Sequence, residues 1–220
     1  METPQNLLIN SFNKNLNKKA LWFNNKYYSY EQILNYSKKI IFKLKLNNSK
    51  KVAILDEKGI YCYCSILSLF LDNKIFVPLN EKFSDEKNIN IIKSAKVDTI
   101  LAGEKYKYKA KSLKNSVKNI KTIIIDEKIF KDNQIKEISL EKSKLKDTAY
   151  IFFTSGSTGN PKGVPISNEN LSHYLINLEK RYSFNSKDRF SNNFDITFDL
   201  FLHDFLLSWI NGGTLFVPDK

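Results

Sequence analysis

The chain has 220 residues, 42% apolar and 13% aromatic, enough to bury a core as one large or two small domains and too apolar for a disordered tract. No run of about twenty apolar residues occurs and Met1 to Leu21 is too polar for a signal peptide, so no membrane span is expected and the cytoplasm is the expected location. The net charge of +12 invites a nucleic-acid reading, but the cations are nearly all lysines spread among Asn, Glu and Ile, with Arg181 and Arg189 the two arginines. Proteins that read bases concentrate charge and use arginine forks, so these lysines read as solvated faces and no nucleic-acid partner is expected.

In chain order, Leu21-Trp22-Phe23 and Tyr27-Tyr28 predict a β-hairpin turning at Asn24-Asn25-Lys26. A helix follows, with Ser29 and Gln32 placed as a capping box, Tyr28 as a staple against Ile33, and Ile33, Leu34, Ser37, Ile40, Ile41 and Leu44 on one face. Val52 to Leu55 predicts a buried strand, and Ile60 to Leu71, apolar nearly all round, a core helix. Cys62 and Cys64 lie within it; a CxC without clustered histidines is a poor metal site, so both are expected as buried free thiols and no metal ligands are assigned. Ile75 to Asn80 is a strand stopped by Pro78. Ser84 caps a helix with Asp85 and Glu86 in its first turn. Two further strands, Asp98 to Leu101 and Thr122 to Ile125, flank a lysine-rich helix or loop. Strands alternating with helices at this spacing predict an α/β fold with a mainly parallel sheet. Glu127 to Asp147 is a charged, weakly patterned connector.

The densest signal is Tyr150 to Gly163, YIFFTSGSTGNPKG. A buried strand feeds a loop of hydroxyls and glycines, where backbone amides approach an anion closely and Lys162 adds a positive charge. A flexible Gly/Ser linker is the competing reading, but a linker rarely begins in a buried strand and ends in Pro-Lys-Gly. A Walker P-loop does not fit, because Gly163 follows Lys162 where Ser or Thr is required. TSGSTGNPKG, expected with a strand before it and a helix after, resembles the phosphate loop of the adenylate-forming enzymes: acyl-CoA synthetases, luciferases and amino-acid adenylation domains, most closely those activating amino acids or ligating D-alanine to a carrier protein. The FVPLN run within Leu67 to Ala95 adds support by its order and distance.

That resemblance implies ATP with Mg²⁺ as cofactor. It places Thr154, Ser155, Gly156, Ser157, Thr158, Gly159, Lys162 and Gly163 around the phosphates, with Lys162 and Thr158 as the catalytic pair. It further implies carboxylate attack on the α-phosphorus of ATP, release of pyrophosphate, and transfer of the acyl group to a carrier-protein thiol or CoA. The later segment SNNFDITFDLFLHDFLLSWINGGTLFVP resembles the family's acid-binding motif, in which an aspartate receives the α-ammonium of an amino acid. Asp199 is the first choice, on its distance to Gly212-Gly213-Thr214. Asp195, in FDIT, is the second, because Phe201 replaces the hydroxyl expected two positions after Asp199. An isolated ammonium entering a dry pocket must be paired there. Phe198 resembles the family's aromatic near the α-phosphate, and ordinary core packing explains it equally well. In a helix from Asp199 to Ile210, His203 lies one turn from Asp199 and either orients it, lines the acid pocket, or is a core histidine. His173 carries no assignment.

The family's later motifs for adenine, ribose, hinge and C-terminal lysine do not occur in the sequence. Residues 1–220 are therefore expected to form an incomplete N-terminal portion of the large adenylate-forming domain, without its C-terminal lid. The product is expected to be truncated or one piece of a split enzyme, silent alone in pyrophosphate exchange. A CoA-ligase fragment and a non-catalytic scaffold or interaction module are the alternatives. The lysine surface would steer an acidic carrier protein.

Overall fold

The computed structural model describes residues 1–131, 138–155 and 161–218. Its strands form two sheets. The larger has six strands in the order β6 (Lys121–Ile125), β5 (Thr99–Gly103), β3 (Lys51–Leu55), β4 (Ile75–Pro78), β7 (Thr148–Ser155), β8 (Pro161–Ser167), and the smaller four in the order β2 (Lys26–Ser29), β1 (Lys19–Phe23), β10 (Thr214–Phe216), β9 (Arg189–Ser191).

The larger sheet is built by β3 (Lys51–Leu55), β4 (Ile75–Pro78), β5 (Thr99–Gly103) and β6 (Lys121–Ile125), all parallel. They are joined by α3 (Ile60–Leu71), α4 (Asp85–Ala95) and α5 (Lys107–Ser116). Alternation along β3 divides the molecule into layers: Val52 and Ile54 enter one core, Ala53 and Leu55 the other. The second core is roofed by α4 and α5 through Ile91, Ile92, Ala110 and Leu113. The first is shared by α1 (Pro4–Asn15), α2 (Tyr30–Leu46), α3 and α8 (Asp199–Ile210), which lie between the two sheets. The expected α/β architecture, mainly parallel sheets flanked by helices, is present.

Local signals set most boundaries. Asn24 and Asn25 both have positive φ, 49° and 56°, giving the primed two-residue turn that joins β1 (Lys19–Phe23) to β2 (Lys26–Ser29). Ser29 and Gln32 close the expected capping box at the start of α2. Ser84 accepts from the Lys87 amide at the start of α4. Cys62 and Cys64 are buried free thiols in α3, and burial pushes both thiols up.

Three elements differ from expectation. α1 is a helix in a polar stretch, and its Gln5 side chain donates to the carbonyls of Leu71 (2.6 Å) and Glu141 (2.7 Å). The charged connector contains a short helix, α6 (Glu127–Lys131), and its later part is fixed: the Glu141 amide donates to Asp72 and the Ser143 amide to Gln5. A strand that was not expected comes between the glycine-rich loop and the helix expected after it. β8 (Pro161–Ser167) runs antiparallel to β7 (Thr148–Ser155), and only then does α7 (Asn168–Arg181) begin, capped by Ser167. Two short strands, β9 (Arg189–Ser191) and β10 (Thr214–Phe216), complete the smaller sheet. Among the described residues no helix is long and apolar enough to cross a membrane.

Candidate functional site

The phosphate-loop candidate is the tip of the β7–β8 hairpin. Gly156, Ser157, Thr158 and Gly159 lie outside the described residues; the strands on either side fix the frame. Thr154 stands opposite Lys162, and Ser155 opposite Pro161. Directly paired residues on antiparallel strands share a face, so Lys162 projects on the same side as Thr154, which lines a cleft. Lys162 is exposed, and among the described residues its side chain has no hydrogen bond or ion pair. Gly163 is explained by packing: a Cβ there would meet Phe153 Cζ at 2.9 Å and Ile151 Cγ2 at 3.2 Å. The phenylalanine ring occupies the space that the glycine leaves.

The cleft is about 560 Å³ in volume and lies between this hairpin, the end of β4 and the start of α8. Pro78 and Asn80 form one side, Tyr150, Thr154 and Pro161 another, and Thr197, Phe198 and Asp199 the third. Asp199 is the first residue of α8 and exposed; its Oδ1 accepts from the Leu200 amide at 2.9 Å. A carboxylate in the first helical turn is favoured by the helix dipole. Its negative charge, after burial, helps push the Tyr150 phenol up to about 12. Phe198 is 59% exposed, so core packing does not account for it.

Asp195, the rival of Asp199, is engaged differently. Its Oδ1 accepts from Thr197 Oγ1 at 2.7 Å, the Thr197 amide at 3.0 Å and Asn80 Nδ2 at 3.3 Å. The hydroxyl two positions on, noted in the FDIT match, therefore serves the turn before α8. Phe201, which stands where Asp199 lacks such a hydroxyl, is fully buried and stacks on Tyr63 at 5.6 Å.

His203 does not hold Asp199. Its Nδ1 is 2.5 Å from Tyr174 Oη on α7, and the two rings meet edge to face at 5.9 Å. Asp199, Tyr150, Tyr174 and His203 all line a second cavity of about 240 Å³. Burial, Asp199 and Asp204 raise the Tyr174 phenol. Tyr174 and Asn80 escape a sequence reading: the first pairs with a residue 29 positions away on another helix, and the second reads only as the end of a strand.

Residues 9–220 match the AMP-binding enzyme family. The chain is similar to apicidin F synthase of Gibberella fujikuroi, 31% identical over 173 residues that make up 77% of this chain and 3% of the relative. It is similar to gramicidin S synthase 1 of Brevibacillus brevis, 23% identical over 219 residues, 98% of this chain and 20% of the relative. The chain thus spans a fifth or less of these relatives' length. Among solved structures, the Vibrio cholerae adenylation domain AlmE, in complex with glycyl-adenosine-5'-phosphate, shares the fold with a TM-score of 0.84 at 23% identity, over 99% of this chain and 45% of that one. The architecture is accordingly that of the N-terminal part of an adenylation domain. A hairpin carrying TSGSTGNPKG at its tip, set in a match that runs almost from end to end, makes this chain a member of the AMP-binding enzyme family.

Proposed function

We propose that the chain supplies the phosphate loop and the ammonium-binding carboxylate of an ATP-dependent ligase that activates an amino acid as its acyl-adenylate for transfer to a carrier-protein thiol. One observation carries this: the strand ends that flank the first motif and the start of α8 in the second line a single cleft, with Thr154 and Pro161 on one wall and Asp199 on another. A carboxylate oxygen of the acid bonds to the α-phosphorus of ATP as the bond to pyrophosphate breaks. Thr154, Ser155, Ser157 and Thr158 offer hydroxyls to the phosphates, and Gly156, Gly159 and Gly163 offer amides. Lys162 offsets the charge that develops on the leaving pyrophosphate. Holding both reactants in one cleft supplies the proximity on which such a transfer depends. Mg²⁺ bound with the ATP would supply further charge neutralisation at its phosphates.

Asp199 favours an amino acid over an aryl or fatty acid. It is a carboxylate on the cleft wall whose side chain, among the described residues, accepts a hydrogen bond from its neighbour's amide alone, which leaves it able to pair an incoming ammonium. Phe198 packs beside the reacting groups, and His203 with Tyr174 borders the adjoining cavity. Calorimetric titration with a non-hydrolysable aminoacyl-adenylate analogue and its desamino counterpart tests the assignment. The amino form should bind about tenfold or more tightly, and Asp199→Ala should erase that preference. Equal affinity in the unaltered chain would remove the amino-acid specificity, and no binding of either analogue would remove the adenylate site.

A further inference from the structure

We propose that Asn80, Asp195 and Thr197 form a polar clamp that sets how Phe198 and Asp199 face the cleft. Asp195 is then a positioning residue, not a second ammonium ligand. The inference rests on the reading of Asp199 above and adds the device that holds it.

The clamp crosses between parts of the chain distant in sequence. Thr197 donates its amide and hydroxyl to one carboxylate oxygen of Asp195, and Asn80 donates Nδ2 to that same oxygen from the end of β4. The Phe198 amide donates to the Asp195 carbonyl at 3.0 Å, and the Phe201 amide to the Phe198 carbonyl at 3.0 Å. The chain therefore turns tightly from Asp195 straight into α8. Asn80 is rigid in its own right. Its carbonyl accepts from the fully buried Asn88 at 2.9 Å, and its Oδ1 from the Lys82 amide at 2.8 Å.

The same segment is fastened upstream. Asn192, fully buried, accepts from Tyr63 Oη at 2.7 Å and donates to the Phe201 carbonyl at 3.0 Å, while its own carbonyl accepts from Lys58 Nζ at 2.8 Å. Between these two fastenings Ile196 is buried in the core, and polar contacts then turn residues 197–199 toward the cleft. Their side chains do not bury enough to do it: Phe198 and Asp199 are exposed. Bonds to a charged acceptor are stronger than neutral ones and fix direction. An oxygen already taking three donors is committed to the turn, whereas Asp199 accepts from one neighbouring amide.

A reciprocal exchange tests the contact. Asn80→Asp sets two carboxylates against each other; combined with Asp195→Asn it restores one donor facing one acceptor. Amide hydrogen exchange over residues 197–200 should accelerate about tenfold or more in Asn80→Asp and return close to the starting rate in the double variant. Thr197→Val should accelerate it and Thr197→Ser should not, which keeps the test open if the charged variant fails to fold. Unchanged exchange in Asn80→Asp and in Thr197→Val would overturn the clamp. The aminoacyl-adenylate titration, run on the same proteins, should follow the exchange rates. An affinity that stays level while exchange accelerates would overturn the positioning role. Absence of analogue binding in the unaltered chain would instead count against the adenylate site, and exchange alone would then decide the clamp.

Discussion

β3 with α3 and the rim of the cleft, Thr154 and Lys162 to Val164 with Thr197 to Leu200, follow different rules within one fold. In β3 and α3 burial explains nearly every choice. β3 sends alternate side chains into two cores, and every residue from Cys62 to Leu71 in α3 is buried. In the second, apolar groups are left in solvent beside charges that burial does not require. Phe198 is 59% exposed, Leu200 45% and Val164 40%, close in sequence to the exposed Asp199 and Lys162. Scattered surface apolar residues need no explanation, but a cluster of them rimming a cleft marks a site. Residues that packing accounts for and residues that it does not should therefore separate by experiment.

The largest effect is expected at Trp209. Its ring is fully buried, contacts Phe205 at 4.6 Å and Phe12 at 5.6 Å, and donates Nε1–H to the Ala20 carbonyl at 2.9 Å. It thereby joins α8, α1 and the smaller sheet. Trp209→Ala should cost about 3–5 kcal/mol in urea unfolding; a loss under about 1 kcal/mol would mean that these elements hold together without it. Asp56 should show the next largest effect, as pH dependence. It follows β3 at the C-terminal edge of the sheet, packed so tightly on Gly103 that a Cβ there would collide with its carboxylate. Burial pushes that carboxyl up to about 7, helped by Glu57 and Glu81 and opposed by the Glu57 amide and Lys105. Between the ordinary value of 3.8 and that raised value the folded state binds the extra proton. The stabilisation is therefore fully present below the lower value and lost as pH rises through the upper, by about 4 kcal/mol at most. Asp56→Asn should flatten the profile between those limits; the same slope in the variant would assign it to other groups.

How much was legible in the sequence follows the same division. The Asn24-Asn25 turn, the Ser29 capping box, α3 and the start of α8 at Asp199 all rest on signals within a few residues, and each stands where it was read. α1 was missed because its burial depends on partners far along the chain: Gln5 and Ser11 are polar, yet buried by bonds to Leu71, Glu141 and Trp209. β8 was hidden by Pro161 and Pro165, residues that read as strand breakers but that an edge strand tolerates. The parallel pairing of β1 with β10, Leu21 beside Leu215, has no local signature. At the site, the spacing to Gly212 chose Asp199, but only coordinates tie Asp195 to Asn80 and His203 to Tyr174. Motifs name the residues that face a ligand; the residues that hold those in place come from tertiary structure.

The smallest effect on stability separates the two regions most sharply, because it compares phenylalanines three positions apart. Phe201 is fully buried and stacks on Tyr63 and Phe205, at 5.6 and 6.1 Å. Phe198 precedes α8 with its ring 59% exposed on the cleft wall. Phe201→Ser removes a core ring and leaves a hydroxyl without a place in the stack, so loss of cooperative folding is expected. Phe198→Ser removes little buried surface and should leave the unfolding free energy within about 0.5 kcal/mol, while weakening the aminoacyl-adenylate analogue in the same titration. A cost above about 1 kcal/mol for Phe198→Ser would make that ring a packing residue and bring the rim under the rule that governs the core. Undisturbed stability with weakened binding means that an apolar ring is kept in water, against the hydrophobic effect, for contact with a ligand.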